Sequence, residues 1–175
     1  PSLAVKSLSD EKEKEYRKKL SNFSFLSCRE QDGAQLLSRI TQKEVKCVLD
    51  PTLLLSAKEW GKYCEFEIPK EPYILVYFLG EKSEHRRAVE KIQKLTNWKI
   101  ISLPAAYLEM ENNDYKKVWG GPKEFLSLIR GAALICTDSF HGTMFSINFQ
   151  RNFFSFCKSS DSEESSENSR LYSAL

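Results

Sequence analysis

The chain is expected to fold as an α/β protein built on an open parallel sheet. Three observations lead there. Strand-length apolar runs alternate with segments of helical periodicity along the second part of the chain, and that alternation builds parallel sheets with right-handed crossovers. The run Tyr73–Leu79 is apolar at almost every position and ends at Gly80, as suits a central strand covered on both faces. The run Ala132–Cys136 leads through Thr137, Asp138 and Ser139 into a helical segment, Gly142–Phe149. Strand, polar turn, helix is the layout of a ligand-binding sheet edge, where the next helix aims its N-terminal amides at the ligand.

Taken in order, Ser9 and Asp10 with Glu13 form an N-cap signal before a charged amphipathic helix, Glu11–Leu20. Phe23–Cys28 reads as a strand ended by Arg29 and Glu30. Asp32–Ile40 is helical, with Ala34, Leu37 and Ile40 at helix spacing and Leu36 beside them. Val45–Val48 is a short strand. Asp50-Pro51 breaks it, because proline lacks an amide donor and disfavours a helical residue before it. Ser56 caps a short helix through Trp60 and Tyr63. The proline-marked stretch Ile68–Pro72 reads as a connector, so the expected domains are 1–68 and 69–175.

In the second part, Ser83–Leu95 is expected to be a helix with Val89, Ile92 and Leu95 inward and His85 solvated. Lys99–Leu103 is the next strand, ended by Pro104. Residues 105–121 carry no clear element before the turn Gly120-Gly121-Pro122. Pro122 suits the first turn of a helix to Arg130, with Phe125, Leu126 and Ile129 inward and Gly131 as its stop. Asn152–Phe156 reads as the last strand, Lys158–Asn168 as a Ser/Glu-rich mobile loop, and Arg170–Leu175 as the start of a helix.

The 175 residues suffice for one domain, or one domain plus part of another. With 41% hydrophobic and 29% charged residues the chain has the make-up of a soluble globular protein, and a net charge of +2 gives no pull toward nucleic acid. The five cysteines are odd in number and lack C-x-x-C spacing, so they read as reduced, buried thiols of a cytoplasmic protein. His85 and His141 share no ligand spacing with each other or with a cysteine, so no metal is expected. No apolar stretch approaches the ~20 residues of a membrane span. The chain opens at Pro1 with no signal peptide and reads as a piece of a longer protein.

Within the central motif, His141 is the residue that can exchange a proton near neutral pH. Asp138 and Ser139 are both N-cap types, and Gly142 permits close backbone approach. The same residues also suit plain capping and packing. No G-x-G-x-x-G or Walker fingerprint is present, so a bound phosphate would rest on a barer helix start.

Four segments occur in a telling order: Ser27-Cys28-Arg29-Glu30 followed by Gly33; Val48-Leu49-Asp50-Pro51-Thr52; Tyr73-Ile74-Leu75-Val76-Tyr77; and Thr137-Asp138-Ser139-Phe140-His141-Gly142. A fifth, Asn168-Ser169-Arg170-Leu171, lies near the end. As an ordered set they resemble the polysaccharide pyruvyl transferase family. The resemblance implies two Rossmann-like halves of GT-B type facing across a cleft, with this chain holding the closing part of the first half and all of the second. It implies transfer of the enolpyruvyl group of phosphoenolpyruvate to a sugar diol, making a pyruvate ketal in cell-surface polysaccharide. No cofactor is implied; phosphoenolpyruvate is the donor substrate, and the acceptor is a nucleotide- or lipid-linked saccharide.

By that resemblance His141 is the general acid; the ketal chemistry also asks for a base or orienting carboxylate on the acceptor hydroxyl, for which Asp138 or Glu30 is the candidate. Arg29, Arg170, Ser139, Gly142 and Gly80 are the substrate-binding candidates. Many relatives carry an arginine two residues before the histidine, where this chain has Ser139. Arg29-Glu30 also suits a strand-end salt bridge, and Asp50-Pro51 a structural turn. Two rival readings share the architecture: a glycosyltransferase using a nucleotide sugar, and a non-catalytic sugar-binding module. A serine hydrolase is disfavoured, because Ser139 and His141 are only two residues apart and no G-x-S-x-G elbow is present.

Overall fold

The computed structural model describes residues 2–3, 5, 7–80, 83–104 and 115–157. They form two compact units, the first built on residues 1–50 together with Cys157, the second on residues 51–156. The expected loop 158–168, the helix from Arg170, and Arg170 itself lie outside the described residues.

The first unit contains α1 (Asp10–Leu20), β1 (Leu26–Cys28), α2 (Gln31–Thr41) and β2 (Val45–Cys47). β1 and β2 pair in parallel, with Leu26 opposite Val45 and Cys28 opposite Cys47. Cys28, Ala34, Leu37 and Val45 make the core, with Leu3, Tyr16 and Leu20 packed against it. The apolar spacing of α2 is what selects its inner face. Gly33 sits on that face, where a Cβ would lie 2.8 Å from Cys28 Sγ and 2.9 Å from the Leu3 carbonyl. β1 is shorter than the apolar run that announced it, and Phe23 and Phe25 are exposed. Its partner β2 is itself only three residues long, so the ladder has nothing to extend along.

In the second unit, strands β3 (Tyr73–Tyr77), β4 (Lys99–Ser102), β5 (Lys116–Lys117), β6 (Leu134–Thr137) and β7 (Phe153–Ser155) form one sheet. Every pair is parallel, and the order is β5-β4-β3-β6-β7. Helices α3 (Ala57–Trp60), α4 (Ser83–Thr96), α5 (Pro122–Gly131) and α6 (Phe140–Asn148) complete it. The period-2 alternation of a strand explains why β3 is apolar throughout. Tyr73 and Leu75 join a core with Leu128, Ile129 and Phe145 of α5 and α6; Ile74 and Val76 join Val89 of α4 on the other face. β5 gave no apolar signal, since two lysines form it and its pairing with Ile101 and Ser102 is carried by the backbone.

Residues 51–68 pack on the second core. Ala57, Trp60, Phe66 and Ile68 lie against it. Trp60 Nε1 donates to the Thr52 carbonyl at 2.8 Å, Asn148 Nδ2 donates to the Leu55 carbonyl at 2.8 Å, and the Phe66 amide donates to Ser127 Oγ at 3.1 Å. The compact units therefore part at Asp50 and Pro51, the proline break, and not at the connector near residue 68. Ser56 caps α3 in a full capping box with Glu59.

Two expectations for α4 are corrected. His85 is buried rather than solvated, with its ring 5.1 Å from that of Phe78 and 4.8 Å from that of Phe156. Leu95 is 87% exposed rather than inward. At ~100° per residue, His85, Val89, Ile92 and Thr96 share one face, and Leu95 falls a quarter-turn away. The expectation of buried thiols also fails in part. Cys28 and Cys136 are buried, but Cys47 and Cys157 are exposed. Burial pushes the Cys136 thiol up to about 12. Among the described residues no helix is long and apolar enough to cross a membrane.

Candidate functional site

The chain runs β3, β4, β5 outward from the sheet centre and returns to the other side of β3 for β6. That reversal opens a crevice at the carboxyl ends of β3 and β6, where open parallel sheets bind ligands. The central motif lies there. Thr137 ends β6; its hydroxyl donates to the Tyr77 carbonyl at 2.6 Å and accepts from the Ser139 amide at 3.0 Å. Ser139 caps α6 through its Oγ, which accepts from the Gly142 amide at 3.3 Å.

Asp138 is 2% exposed and does a different job from capping. Its Oδ1 accepts from the Leu79 amide at 2.6 Å and its Oδ2 from the Gly80 amide at 2.9 Å. The carboxylate thus latches the end of β3 to the end of β6. Gly80 takes part through that amide. Gly142 is required by packing: a Cβ there would lie 2.5 Å from Thr137 Oγ1 and 3.1 Å from Thr137 Cβ.

These contacts place His141, which is exposed, in the first turn of α6. It lines a cavity of about 510 Å³. The strand ends contribute Tyr77, Leu79 and Leu103, and the turn before α5 contributes Gly120, Gly121 and Pro122. Phe125 and Phe145 complete an aromatic wall, with Tyr77 and Phe125 rings 5.1 Å apart and Phe125 and Phe145 rings 5.6 Å apart, both edge to face. Among the described residues no lysine, arginine, aspartate or glutamate lines it.

Two helix starts meet this cavity, and they differ in charge. At α5 the Glu124 carboxylate accepts from the Gly121 amide at 2.7 Å, so an anion already sits on that positive end. At α6 the cap is the neutral Ser139 hydroxyl.

In the first unit, Arg29 forms an ion pair with buried Asp50, and its charge also helps to hold the Glu30 carboxyl down. Glu30 is 1% exposed. It accepts from the Leu3 amide at 3.0 Å, from the Ser2 hydroxyl, and from Cys28 Sγ at 3.1 Å. Burial pushes its carboxyl up, but these hydrogen bonds outweigh burial and hold it below the usual carboxylate range. Its oxygens thereby tie the start of the chain onto α2.

The structure gathers Asp138, Ser139, His141, Gly142 and Gly80 at one sheet edge of the second unit, and Arg29 and Glu30 at the end of β1 in the first. Sequence reasoning missed Thr137 as the turn's anchor and the aromatic wall. The wall's signal lay in the aromatic Tyr77 ending the central strand and in the Gly120-Gly121-Pro122 turn preceding Phe125.

A five-stranded parallel sheet with helices on both faces, and a histidine at its topological switch, defines a Rossmann-like α/β domain of the GT-B kind. Two solved structures of UDP-GlcNAc 2-epimerase from Methanocaldococcus jannaschii share the fold. One aligns at 14% identity with a TM-score of 0.58, covering 86% of this chain and 54% of that one. The other, determined with UDP-GlcNAc and UDP, aligns at 14% identity with a TM-score of 0.55, covering 86% and 53%. The chain spans about half the length of these structures. Comparison with curated proteins gives no significant match. The family model for polysaccharide pyruvyl transferase matches residues 2–156, and the chain belongs to that family.

Proposed function

We propose that this chain is part of a cytoplasmic enzyme that moves the enolpyruvyl group of phosphoenolpyruvate onto two hydroxyls of one sugar, forming a pyruvate ketal for cell-surface polysaccharide. The observation that carries the reading is the placement of His141, exposed in the first turn of α6 and lining a cavity at the carboxyl edge of a parallel sheet.

The reaction needs a proton carrier there. Two hydroxyl oxygens bond to the same donor carbon and the carbon–phosphate oxygen bond breaks. One hydroxyl proton ends on the former methylene carbon, which becomes a methyl group, and the other leaves with phosphate. An imidazole can accept one proton and deliver another at neutral pH. Positioned acid catalysis of this kind is worth ~10²–10⁴ in rate. The positive start of α6 faces the departing phosphate. Arg29 and Arg170 are the cations for the donor's anions, since a guanidinium has five donors in a fork that fits carboxylate and phosphate. Pairing with Asp50 orients Arg29. Asp138 and Glu30 act as positioning residues, through the amides they hold.

The test is phosphate release from phosphoenolpyruvate by the full-length protein, followed by phosphorus NMR across a panel of nucleotide- and lipid-linked sugars. Release that depends on the sugar is expected. Turnover of a nucleotide sugar with phosphoenolpyruvate untouched would instead make the protein a glycosyltransferase. Thermal stabilisation by sugars with no turnover of either would make it a binding module.

A further inference from the structure

We propose that Cys28 and Cys47 are a redox-sensitive pair, two free thiols that a hydroperoxide converts into a reversible disulfide at the end of β1. The proposal stands apart from the transferase reading. Strand register brings the two residues together. β1 and β2 pair in parallel, with Cys28 directly opposite Cys47. Alternation along a strand puts Cys28 on the face of Leu26 and Cys47 on the face of Val45, and Cys28, Val45 and Leu26 all belong to one core. Neighbouring strands lie ~4.8 Å apart, inside the ~4.4–6.8 Å that separates the Cα atoms of disulfide-linked residues. The Cys47 sulfur already lies against β1, 3.7 Å from the Arg29 carbonyl oxygen.

The two thiols divide the chemistry. Cys47 is exposed, so a hydroperoxide reaches it. Cys28 is buried; burial pushes its thiol up, and its Sγ donates to the Glu30 carboxylate at 3.1 Å. Cys28 is therefore held as the thiol, and Cys47 reacts first. Its thiolate attacks one oxygen of hydrogen peroxide. The oxygen–oxygen bond breaks, and the departing hydroxide takes up a proton to become water. Cys47 is then a sulfenic acid. The Cys28 side chain turns from Glu30 toward Cys47, and its sulfur attacks the Cys47 sulfur. The sulfur–oxygen bond breaks, and the hydroxide that leaves carries off the Cys28 proton as a second water. In sum two thiols give up two electrons and the peroxide gains them. Small-molecule thiols reverse the bond by exchange, and transient pairs of this kind belong to reducing compartments. The disulfide flanks an ion pair: Cys28 precedes Arg29 in the chain, and Asp50 follows shortly after Cys47.

The experiment exposes the full-length protein to hydrogen peroxide, alkylates the remaining thiols in denaturant, and maps the peptides by mass spectrometry with and without dithiothreitol. A cross-link between the Cys28 and Cys47 peptides is expected, two hydrogens lighter than the pair and lost on reduction. Buried Cys136 should be alkylated throughout. In Cys28→Ser, the same exposure is expected to carry Cys47 on to the sulfinic acid or to join two molecules through it. In Cys47→Ser, which changes an exposed side chain, Cys28 should stay fully alkylated after peroxide. Cys28 still alkylated in the peroxide-treated wild type would overturn the proposal, whatever became of Cys47. So would a wild-type cross-link from Cys47 to Cys157 or to a second molecule in place of Cys28. The wild-type map decides the matter by itself, so a Cys28→Ser protein that fails to fold does not protect the idea. Phosphate release from phosphoenolpyruvate bears on the transferase reading alone, and the two stand or fall separately.

Discussion

At the scale of single residues, the site is held by groups whose work is structural. Gly142 is the clearest case. Alanine there would gain about 1 kcal/mol of helix propensity, yet its methyl would meet Thr137 at 2.5 Å. Overpacking of that kind costs ~1–3 kcal/mol, so Gly142→Ala should lower stability in urea denaturation despite the better helix former. Asp138→Ala should cost about 2 kcal/mol by the same measurement, because it strips the carboxylate from the Leu79 and Gly80 amides. Glu30 sets a pH dependence whose sign follows from its lowered carboxyl. A group titrating lower when folded contributes stability above its unfolded pKa, and that contribution is lost as pH falls through the folded value. The melting temperature should therefore fall as pH drops below the ordinary carboxylate value of 4.5, and Glu30→Gln should flatten that acid limb.

At the scale of elements, the sequence showed most of what the backbone does. Tyr73–Tyr77 was legible because both its faces are apolar, and α3 because Ser56 and Glu59 spell out a capping box. The turn after β6 was legible because serine, aspartate and glycine between a strand and a helix are common N-cap and turn types. β5 was not legible, since its pairing is carried by backbone and its side chains are Lys116 and Lys117. Nor was the inner face of α4. A charged-looking segment hid the fact that His85 continues the row of Val89 and Ile92, while hydrophobic Leu95 does not. That register makes a sharp contrast. Leu95→Lys should change stability by less than about 0.5 kcal/mol, whereas Val89→Ala should cost about 2 kcal/mol in the same denaturation series.

At the scale of the whole molecule, the family and the fold answer different questions. Family membership over residues 2–156 suggests a transferase, and the sheet order places His141 beside the switch point of the parallel sheet. The histidine was visible in the sequence, but its surroundings were not. Which side chains line its cavity depends on how Tyr77, Phe125 and Phe145 meet across the sheet edge, and these are far apart in the chain. The role of Asp138 was hidden for the same reason, because its partners Leu79 and Gly80 lie about sixty residues earlier. The account as a whole stands on His141 as the proton carrier. The most direct test is turnover of phosphoenolpyruvate by the full-length His141→Asn protein with a sugar that the wild type accepts. A fall in kcat of ~10²–10⁴ is predicted, with stability changed by less than about 0.5 kcal/mol because the side chain is exposed. Turnover at the wild-type rate would contradict it.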